Sequence, residues 1–231
     1  MRMLAYALLM IVLTPAFLVG LVFYMIPIVR TRGRVSGTTY EPFNARLAFH
    51  LLGSRRDPAT RTLARGLPAN NAVVMGTIIH PLVWASKLTG FVPSPLACPP
   101  SRPTPFGGIV GARCEFFDAA MREHCTDGTQ VVILGAGWDT RAYGLLEGRA
   151  VDWFEVDAPA TQAVKRAAIA KSGLDARHVR FVSCDFNRQS WLDALVEQGF
   201  DPTRHTFVLW EGVTMYLDED AIVSTLRSAA S

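Results

Sequence analysis

The stretch VVILGAGWDTRAYGL, residues 131–145, carries the clearest chemical signal in the sequence. Its apolar start runs into a turn formed by Gly135, Ala136 and Gly137. Glycines allow a tight turn and let the backbone approach a ligand where a Cβ atom would collide. An Asp-Thr-Arg sequence at 139–141 follows and is able to open a helix. The stretch therefore predicts a strand, a ligand-binding turn and a helix in succession.

Carboxylates follow three later apolar runs, and the first two suit parts of an adenosine. Asp157 lies twenty residues beyond Gly137, a spacing at which a carboxylate accepts hydrogen bonds from ribose hydroxyls. Asp185 and Phe186 come after the next run and suit the amino group and the face of an adenine. Glu211 follows the last run. These positions predict a pocket for an adenosine-containing molecule.

The turn itself indicates which adenosine derivative fits. A dinucleotide site has a third glycine and a helix N-terminus at the pyrophosphate. This sequence has Thr140 at that position, preceded by Asp139. A carboxylate there repels a pyrophosphate but tolerates a cation. S-adenosylmethionine carries a sulfonium and no phosphate, so it fits better than NAD. An NAD-dependent oxidoreductase stays open as an alternative.

The elements that position these residues alternate between strand and helix. Such alternation predicts an α/β domain with a parallel sheet and crossover helices. Ligands of open sheets of this kind bind outside the carboxyl ends of the strands, where the glycines and carboxylates lie. The predicted strands are 131–134, 151–156, 179–183 and 206–210.

Five motifs in order resemble the leucine carboxyl methyltransferase family of S-adenosylmethionine-dependent enzymes. They are GARCEFFDAAM, VVILGAGWDTRAYGL, WFEVDAPATQAVKR, VSCDFNRQSW and LWEGVTMYLDEDAI, and they cover about residues 107–229. The resemblance implies a Rossmann-like class I methyltransferase fold. The family order places the first strand centrally, the second and third to one side and the fourth to the other. The family sheet has seven strands, so we expect this one to be incomplete after the fourth.

The resemblance also implies roles for residues at the first motifs. Arg113 is expected to pair with the carboxylate of the cofactor's methionine part. Gly135, Ala136 and Gly137 are expected to lie against the cofactor, and Asp157 to bind its ribose.

At the later motifs, the resemblance places Asp185 and Phe186 at the adenine and Glu211 near the methionine end. Tyr216 is expected to orient the acceptor as the candidate catalytic residue. Members of the family methylate the C-terminal leucine carboxylate of protein phosphatase 2A, and bacterial relatives methylate oxygens of small molecules. The acceptor implied here is a small-molecule or protein C-terminal carboxylate, or a hydroxyl.

Each assignment has a structural alternative. Arg113 is able to form a surface pair with Glu115 or Asp118. Asp157 and Asp185 are both placed to cap the helices that follow them. For Phe186 and Tyr216, the alternative is packing in the hydrophobic core.

The N-terminus predicts a membrane anchor. Residues 3–29 contain no charge and exceed the roughly 20 apolar residues that cross a bilayer as a helix. A cleavable signal peptide is the alternative. Arg30, Arg32 and Arg34 follow the span and Arg2 precedes it. The positive-inside rule therefore predicts a single-pass protein with its C-terminal domain in the cytoplasm.

Between the anchor and the α/β domain, residues 72–97 form a second apolar stretch, interrupted by His80 and Lys87. We expect a packed or interfacial helix here, with a second span as the alternative. A proline-rich linker follows at 92–107. The predicted domains are 1–34 (anchor and basic flank), 35–106 (helical region and linker) and 107–231 (cofactor-binding domain).

Composition limits the function classes. Residues 1–100 carry ten Lys and Arg against two Asp and Glu, but the cations are scattered among apolar stretches. This favours a membrane surface over nucleic acid as partner. The four cysteines form no CxxC pair, which favours reduced thiols over a metal site. The sequence thus predicts a membrane-anchored O-methyltransferase, with a truncated, non-catalytic cofactor-binding module as a further alternative.

Overall fold

Contacts in the computed structural model divide the described residues, 1–230, into two units. The helical unit comprises Met1–Phe116 together with Ala167–Leu174. The sheet unit comprises Phe117–Arg166 and residues 175–230. The predicted division at residues 34 and 106 stays a prediction about domains.

Helices dominate the first unit. A π-helical turn, Met75–Ile79, joins the helices Ala72–Val74 and His80–Thr89, so that Ala72–Thr89 forms one helix. The α-helices of this unit are α1 (Arg2–Arg30), α2 (Tyr40–Leu52), α3 (Pro58–Ala64), α4 (Ala72–Val74) and α5 (His80–Thr89).

The ends of α2 and α3 follow from local sequence. Gly53 ends α2 in the left-handed conformation, with φ of 83°, which glycine adopts without a Cβ penalty. Asp57 caps α3 by accepting a hydrogen bond from the Thr60 amide, and Pro58 occupies the first helical position. The unit's core is formed by side chains that are fully or almost fully buried, among them Phe43, Leu47, Phe49, Leu63 and Leu67.

The sheet unit contains the predicted parallel sheet. In chain order, the third strand pairs with the second, the second with the first and the first with the fourth, which confirms the α/β prediction and the central place of the first strand. The strand bounds differ from the predicted ones by at most one residue at each end. The strands are β1 (Gln130–Leu134), β2 (Asp152–Asp157), β3 (Val179–Ser183) and β4 (Thr206–Trp210).

Helices cover the sheet, and the central strand is buried throughout. Every residue of β1 is buried, which explains its unbroken apolar run, because the central strand of a parallel sheet has core on both faces. Val131 and Ile133 belong to one core cluster, and Val132 and Leu134 to the other. The remaining helices are α6 (Ile109–His124), α7 (Pro159–Ser172), α8 (Trp191–Glu197) and α9 (Glu219–Ala230).

The connection from β1 to β2 differs from the prediction. The helix expected to open at 139–141 is a single 3₁₀ turn, Arg141–Tyr143. Gly144 and Gly148 follow closely, and glycine is among the weakest helix formers. The glycine turn therefore leads into a compact loop.

The N-terminal helix has the predicted length and apolarity. Among the described residues, Arg2–Arg30 and Ala72–Thr89 are each long and apolar enough to cross a membrane. In its most apolar window, α1 has a mean hydropathy of 2.4 and is 6% buried. The Ala72–Thr89 helix is less apolar, with a mean hydropathy of 1.2, and more buried, at 28%.

Candidate functional site

The glycine turn after β1 is held between the ends of two other strands. Gly135 has φ of +66° and Gly137 has φ of +44°, values that side chains with a Cβ rarely adopt. The amides of Gly135 and Ala136 both donate to the carbonyl of Val156 at the end of β2. A Cβ atom on Gly135 would lie 2.2 Å from the side chain of Val213, which follows β4. Conformation and space both require glycine at position 135.

Asp157 fixes this turn from the end of β2. Its Oδ2 accepts a hydrogen bond from the Gly137 amide at 2.5 Å, and its Oδ1 accepts one from the Ala158 amide at 2.7 Å. Burial raises the pKa of Asp157, and these two hydrogen bonds oppose the shift. Asp157 therefore contacts both the glycine turn and the residue before α7, and its expected role at a ribose stays a prediction.

A buried arginine that the sequence analysis did not single out binds three carboxylates. Arg141 is 1% exposed. Its Nε donates to Asp118 at 2.8 Å, and its Nη1 donates to Asp139 and, at 2.9 Å, to Glu211. One guanidinium thus joins α6, the turn after β1 and the end of β4. Glu211, expected near the methionine end of the cofactor, is oriented by this arginine.

A second buried cation lies beside the first. Lys165 of α7 is 2% exposed, and its Nζ donates to Glu155 Oε2 at 2.5 Å and to the Asp139 carbonyl at 2.8 Å. Burial raises the pKa of Glu155, and Lys165 opposes that shift. Burial and the nearby Glu155 carboxylate raise the pKa of Tyr143, so its phenol stays protonated.

Negative charge exceeds positive charge around the glycine turn. In the described part of the sheet unit, Arg141 binds three carboxylates and Lys165 binds a fourth, while the carboxylate of Asp157 accepts from the turn's backbone. Asp139 is already bound by Arg141, so the repulsion of a pyrophosphate comes from the whole acidic excess and not from Asp139 alone. Buried charge is costly unless it is compensated. A cationic ligand therefore suits this turn better than an anionic one.

Of the two residues after β3, Phe186 matches its structural alternative, whereas the capping alternative for Asp185 is wrong, because α8 begins at Trp191 and is capped by Ser190. Asp185 Oδ1 accepts a hydrogen bond from the Asn187 amide at 3.1 Å, and the Asp185 carbonyl accepts one from the Arg188 amide. Phe186 packs, partly buried, against the core on one face of the sheet. Their contacts stabilise the loop after β3, and their expected roles at an adenine stay predictions.

The two outermost candidates differ in exposure. Tyr216 lies on the 3₁₀ turn Thr214–Tyr216 and is 48% exposed, so it is not a core residue. Arg113 is half-buried on α6, in the helical unit. Asp118, one of its suggested surface partners, is instead buried and bound by Arg141.

Comparisons with known proteins agree with these observations. Residues 59–230 match the family model described as leucine carboxyl methyltransferase. A relative from Mycobacteroides abscessus is 37% identical over 144 residues, which are 60% of this chain and 46% of the relative. One from Saccharopolyspora erythraea is 36% identical over 120 residues, 52% of this chain and 42% of the relative.

Both relatives carry the name "Putative S-adenosyl-L-methionine-dependent methyltransferase", as does one from Mycolicibacterium paratuberculosis that is 36% identical over 117 residues, 50% of this chain and 39% of the relative. The chain spans about half the length of the curated relatives that it matches. Because the family model covers most of the sequence, from residue 59 to residue 230, the chain belongs to the leucine carboxyl methyltransferase family.

Proposed function

We propose that this protein is an S-adenosylmethionine-dependent O-methyltransferase, anchored to a membrane, that acts on a carboxylate or hydroxyl acceptor. Family membership and the names of its relatives support this reaction class. The observation that carries the choice of cofactor is the glycine turn at the carboxyl end of β1, surrounded by more carboxylates than cations.

The residues around the turn fit S-adenosylmethionine, whose sulfonium supplies an activated methyl group. Its sulfonium and amino groups are cations, and the acidic excess compensates both. Gly135, Ala136 and Gly137 would lie against the cofactor, and Asp157, whose carboxylate is held by two backbone amides, would accept hydrogen bonds from its ribose. Glu211 would face the methionine part.

The alternative cofactor, NAD, is disfavoured by the segment after the turn. A dinucleotide pyrophosphate binds at the N-terminus of an α-helix, whereas residues 135–151 contain one 3₁₀ turn at Arg141–Tyr143. The amide of Arg141, at the start of that turn, already donates to the Asp139 carboxylate at 2.7 Å. A pyrophosphate at this turn would have to compete with the Asp139 carboxylate for the Arg141 amide.

Residues outside the glycine turn complete the proposed site. Arg113 would bind the cofactor's carboxylate, Asp185 and Phe186 would contact the adenine, and Tyr216 would orient the acceptor. An acceptor carboxylate is ionised at neutral pH and needs no general base. The protein then contributes chiefly by positioning the acceptor and excluding water.

Membrane attachment is the second part of the proposal. The apolar side chains that α1 leaves exposed include Leu4, Leu8, Ile11, Val12 and Val22. Exposed apolar surface of this extent marks a membrane or partner-binding face. Arg2 precedes the apolar residues and Arg30 ends the helix, and the arginines that follow favour the cytoplasmic face of a membrane. The sequence predicts a single pass through the bilayer.

Calorimetric titration of the purified full chain with S-adenosylmethionine, S-adenosylhomocysteine and NAD tests the cofactor. We expect binding of the first two and none of the third. A matched pair of variants, Asp157→Asn and the exposed Glu197→Gln, separates the site from a general charge effect. NAD binding, or equal affinities of the Asp157→Asn and parent chains, would contradict the assignment.

A further inference from the structure

One stripe of α1 is covered by the rest of the helical unit along nearly the whole helix. The covered residues recur every three or four positions, which is one face of an α-helix. They extend from Tyr6 to Ile28, about 33 Å at 1.5 Å per residue. The buried or half-buried residues are Tyr6, Leu9, Met10, Leu13, Ala16, Phe17, Gly20, Tyr24, Pro27 and Ile28.

Contacts at two positions along this stripe show that α1 and the Ala72–Thr89 helix run antiparallel. Near the start of α1, the ring of Tyr6 lies 5.4 Å from that of Phe91. Further along, a Cβ atom on Gly20 would lie 2.1 Å from Thr77 Oγ1 and 2.7 Å from Ile78. The helices approach closely here because Gly20 has no side chain.

The partner helix is long and apolar enough to cross a membrane, but its exposed stripe carries ionisable side chains. Its exposed positions fall on one stripe that contains His80, Trp84, Lys87 and Leu88. His80 lies between Thr77, which is opposite Gly20, and the end of the helix near Tyr6. It is therefore level with the middle of the uncharged part of α1.

We infer that α1 lies in the plane of the bilayer surface and does not cross it, a refinement that rests on the proposed membrane attachment. The covered stripe is longer than the roughly 30 Å hydrocarbon core. Any part of α1 that spanned this core would carry its covering elements with it. His80 and Lys87, and the non-helical backbone around Phe91, would then enter lipid. Ionisable side chains and exposed irregular backbone are costly there.

An in-plane arrangement satisfies both faces of α1. Its exposed side contacts the acyl chains, while the covered stripe and the Ala72–Thr89 helix stay on the aqueous side. Arg2, Arg30, Arg32 and Arg34, all outside the covered stripe, lie at or beyond the two ends of the apolar face. Cations at both ends suit the anionic headgroups of one leaflet. The occupant of this face is thus an anionic lipid surface.

Cysteine labelling at the two ends of α1 distinguishes the arrangements. Full chains carrying Lys87→Cys or Arg32→Cys, both at exposed positions, are expressed in bacteria and recovered in sealed inverted membrane vesicles. A membrane-impermeant maleimide is added before or after detergent. Arg61→Cys, exposed on α3, reports the accessible side. The parent chain is the background control, since all its cysteines are buried.

We expect Lys87→Cys and Arg32→Cys to react fully in intact vesicles, as in detergent, because both ends face the same side. Protection of either cysteine, with a several-fold increase in labelling when detergent is added, would show that α1 crosses the bilayer and overturn the inference. Recovery of the chain in the soluble fraction would instead refute the membrane attachment on which it rests. A soluble oligomer would assign the apolar face to a second copy of the chain.

Discussion

The two units depart from the usual distribution of residues in different ways, since one buries charged side chains and the other exposes apolar ones. The sheet unit buries charge, with Arg141, Lys165 and Glu155 each 1% or 2% exposed. The helical unit exposes apolar side chains along α1, where Ile11 is 68% and Val12 is 74% exposed. Proteins rarely bury charged residues unless they are paired, and large exposed apolar patches mark binding surfaces. The first feature therefore indicates an internal site, and the second indicates an external partner.

Removing the central charge of the sheet unit should have the largest effect. Arg141→Met leaves Asp118, Asp139 and Glu211 without the guanidinium that they share. Loss of one partner from a buried ion pair costs about 3–5 kcal/mol. We expect a decrease of at least that size in the free energy of unfolding, measured by urea denaturation, and loss of S-adenosylhomocysteine binding.

The matched control for Arg141→Met is Arg177→Met, which breaks the exposed pair with Asp175. Exposed pairs contribute little because solvent screens them, so this variant should unfold at the same urea concentration as the parent. Equal stability of the two arginine variants would show that the buried cluster is not a stabilising feature of the sheet unit.

Closing the glycine turn should have the next largest effect. Gly135→Ala places a Cβ atom 2.2 Å from Val213 and requires a left-handed alanine. Gly148→Ala shares the left-handed backbone, with φ of +88°, but its Cβ atom meets no atom within 4 Å. The backbone strain costs about 1–2 kcal/mol in both. Only Gly135→Ala should abolish cofactor binding in calorimetry, and equal binding by both variants would argue against a ligand at this turn.

In α1, a substitution at a covered position can be compared with one at an exposed position. Gly20→Leu inserts a side chain against Thr77 and Ile78, whereas Val19→Leu adds a methylene at an exposed position. Overpacking of a tight contact costs about 1–3 kcal/mol. In membrane-bound full chain, Gly20→Leu should increase proteolysis of the helical unit and Val19→Leu should not. Identical digestion would indicate that α1 is not docked through Gly20.

Substitution of Asp157 tests how much its carboxylate contributes to cofactor binding. Asp157→Ala removes an acceptor that is oriented toward the glycine turn, and we expect S-adenosylhomocysteine affinity to fall by about 1–3 kcal/mol if a ribose hydroxyl loses its partner. Asp185→Ala tests the adenine assignment in the same titration. Since Asp185 stabilises its own loop through Asn187, a smaller loss is expected there.

The strands of the sheet were predicted well because each one is marked by an apolar run within a few consecutive residues. Four apolar runs correspond to the four strands, and Asp157, twenty residues beyond Gly137, contacts the turn, whereas its predicted role at a ribose stays a prediction. The Arg141 cluster was missed because it joins residues 118, 139 and 211, whose proximity depends on tertiary structure. The sequence signal was present in the Asp-Thr-Arg at 139–141, but it was interpreted as the start of a helix.

The covered stripe of α1 was not predictable from the sequence. Periodicity identifies a buried face only when polar residues mark the opposite one. In α1 the covered and exposed faces are both apolar, so the sequence indicates a membrane helix without indicating that one face is docked. Gly20 was visible in the sequence, but its contact with Thr77 joins segments far apart in the chain.

The smallest predicted effect is a pH dependence that arises in the sheet unit. Burial raises the pKa of Asp157 in the folded chain above its value in the unfolded chain. Between these two values the folded state binds a proton that the unfolded state does not, so stability should fall as pH rises through this window. Urea denaturation of the parent chain across the acidic range should show this decrease, to which the raised pKa of Glu155 adds. Asp157→Asn should flatten the slope without removing it, whereas the exposed Glu197→Gln should leave the slope as it is. An unchanged slope in Asp157→Asn would show that the pKa of this carboxylate is the same in the folded and unfolded chain, and would contradict the prediction.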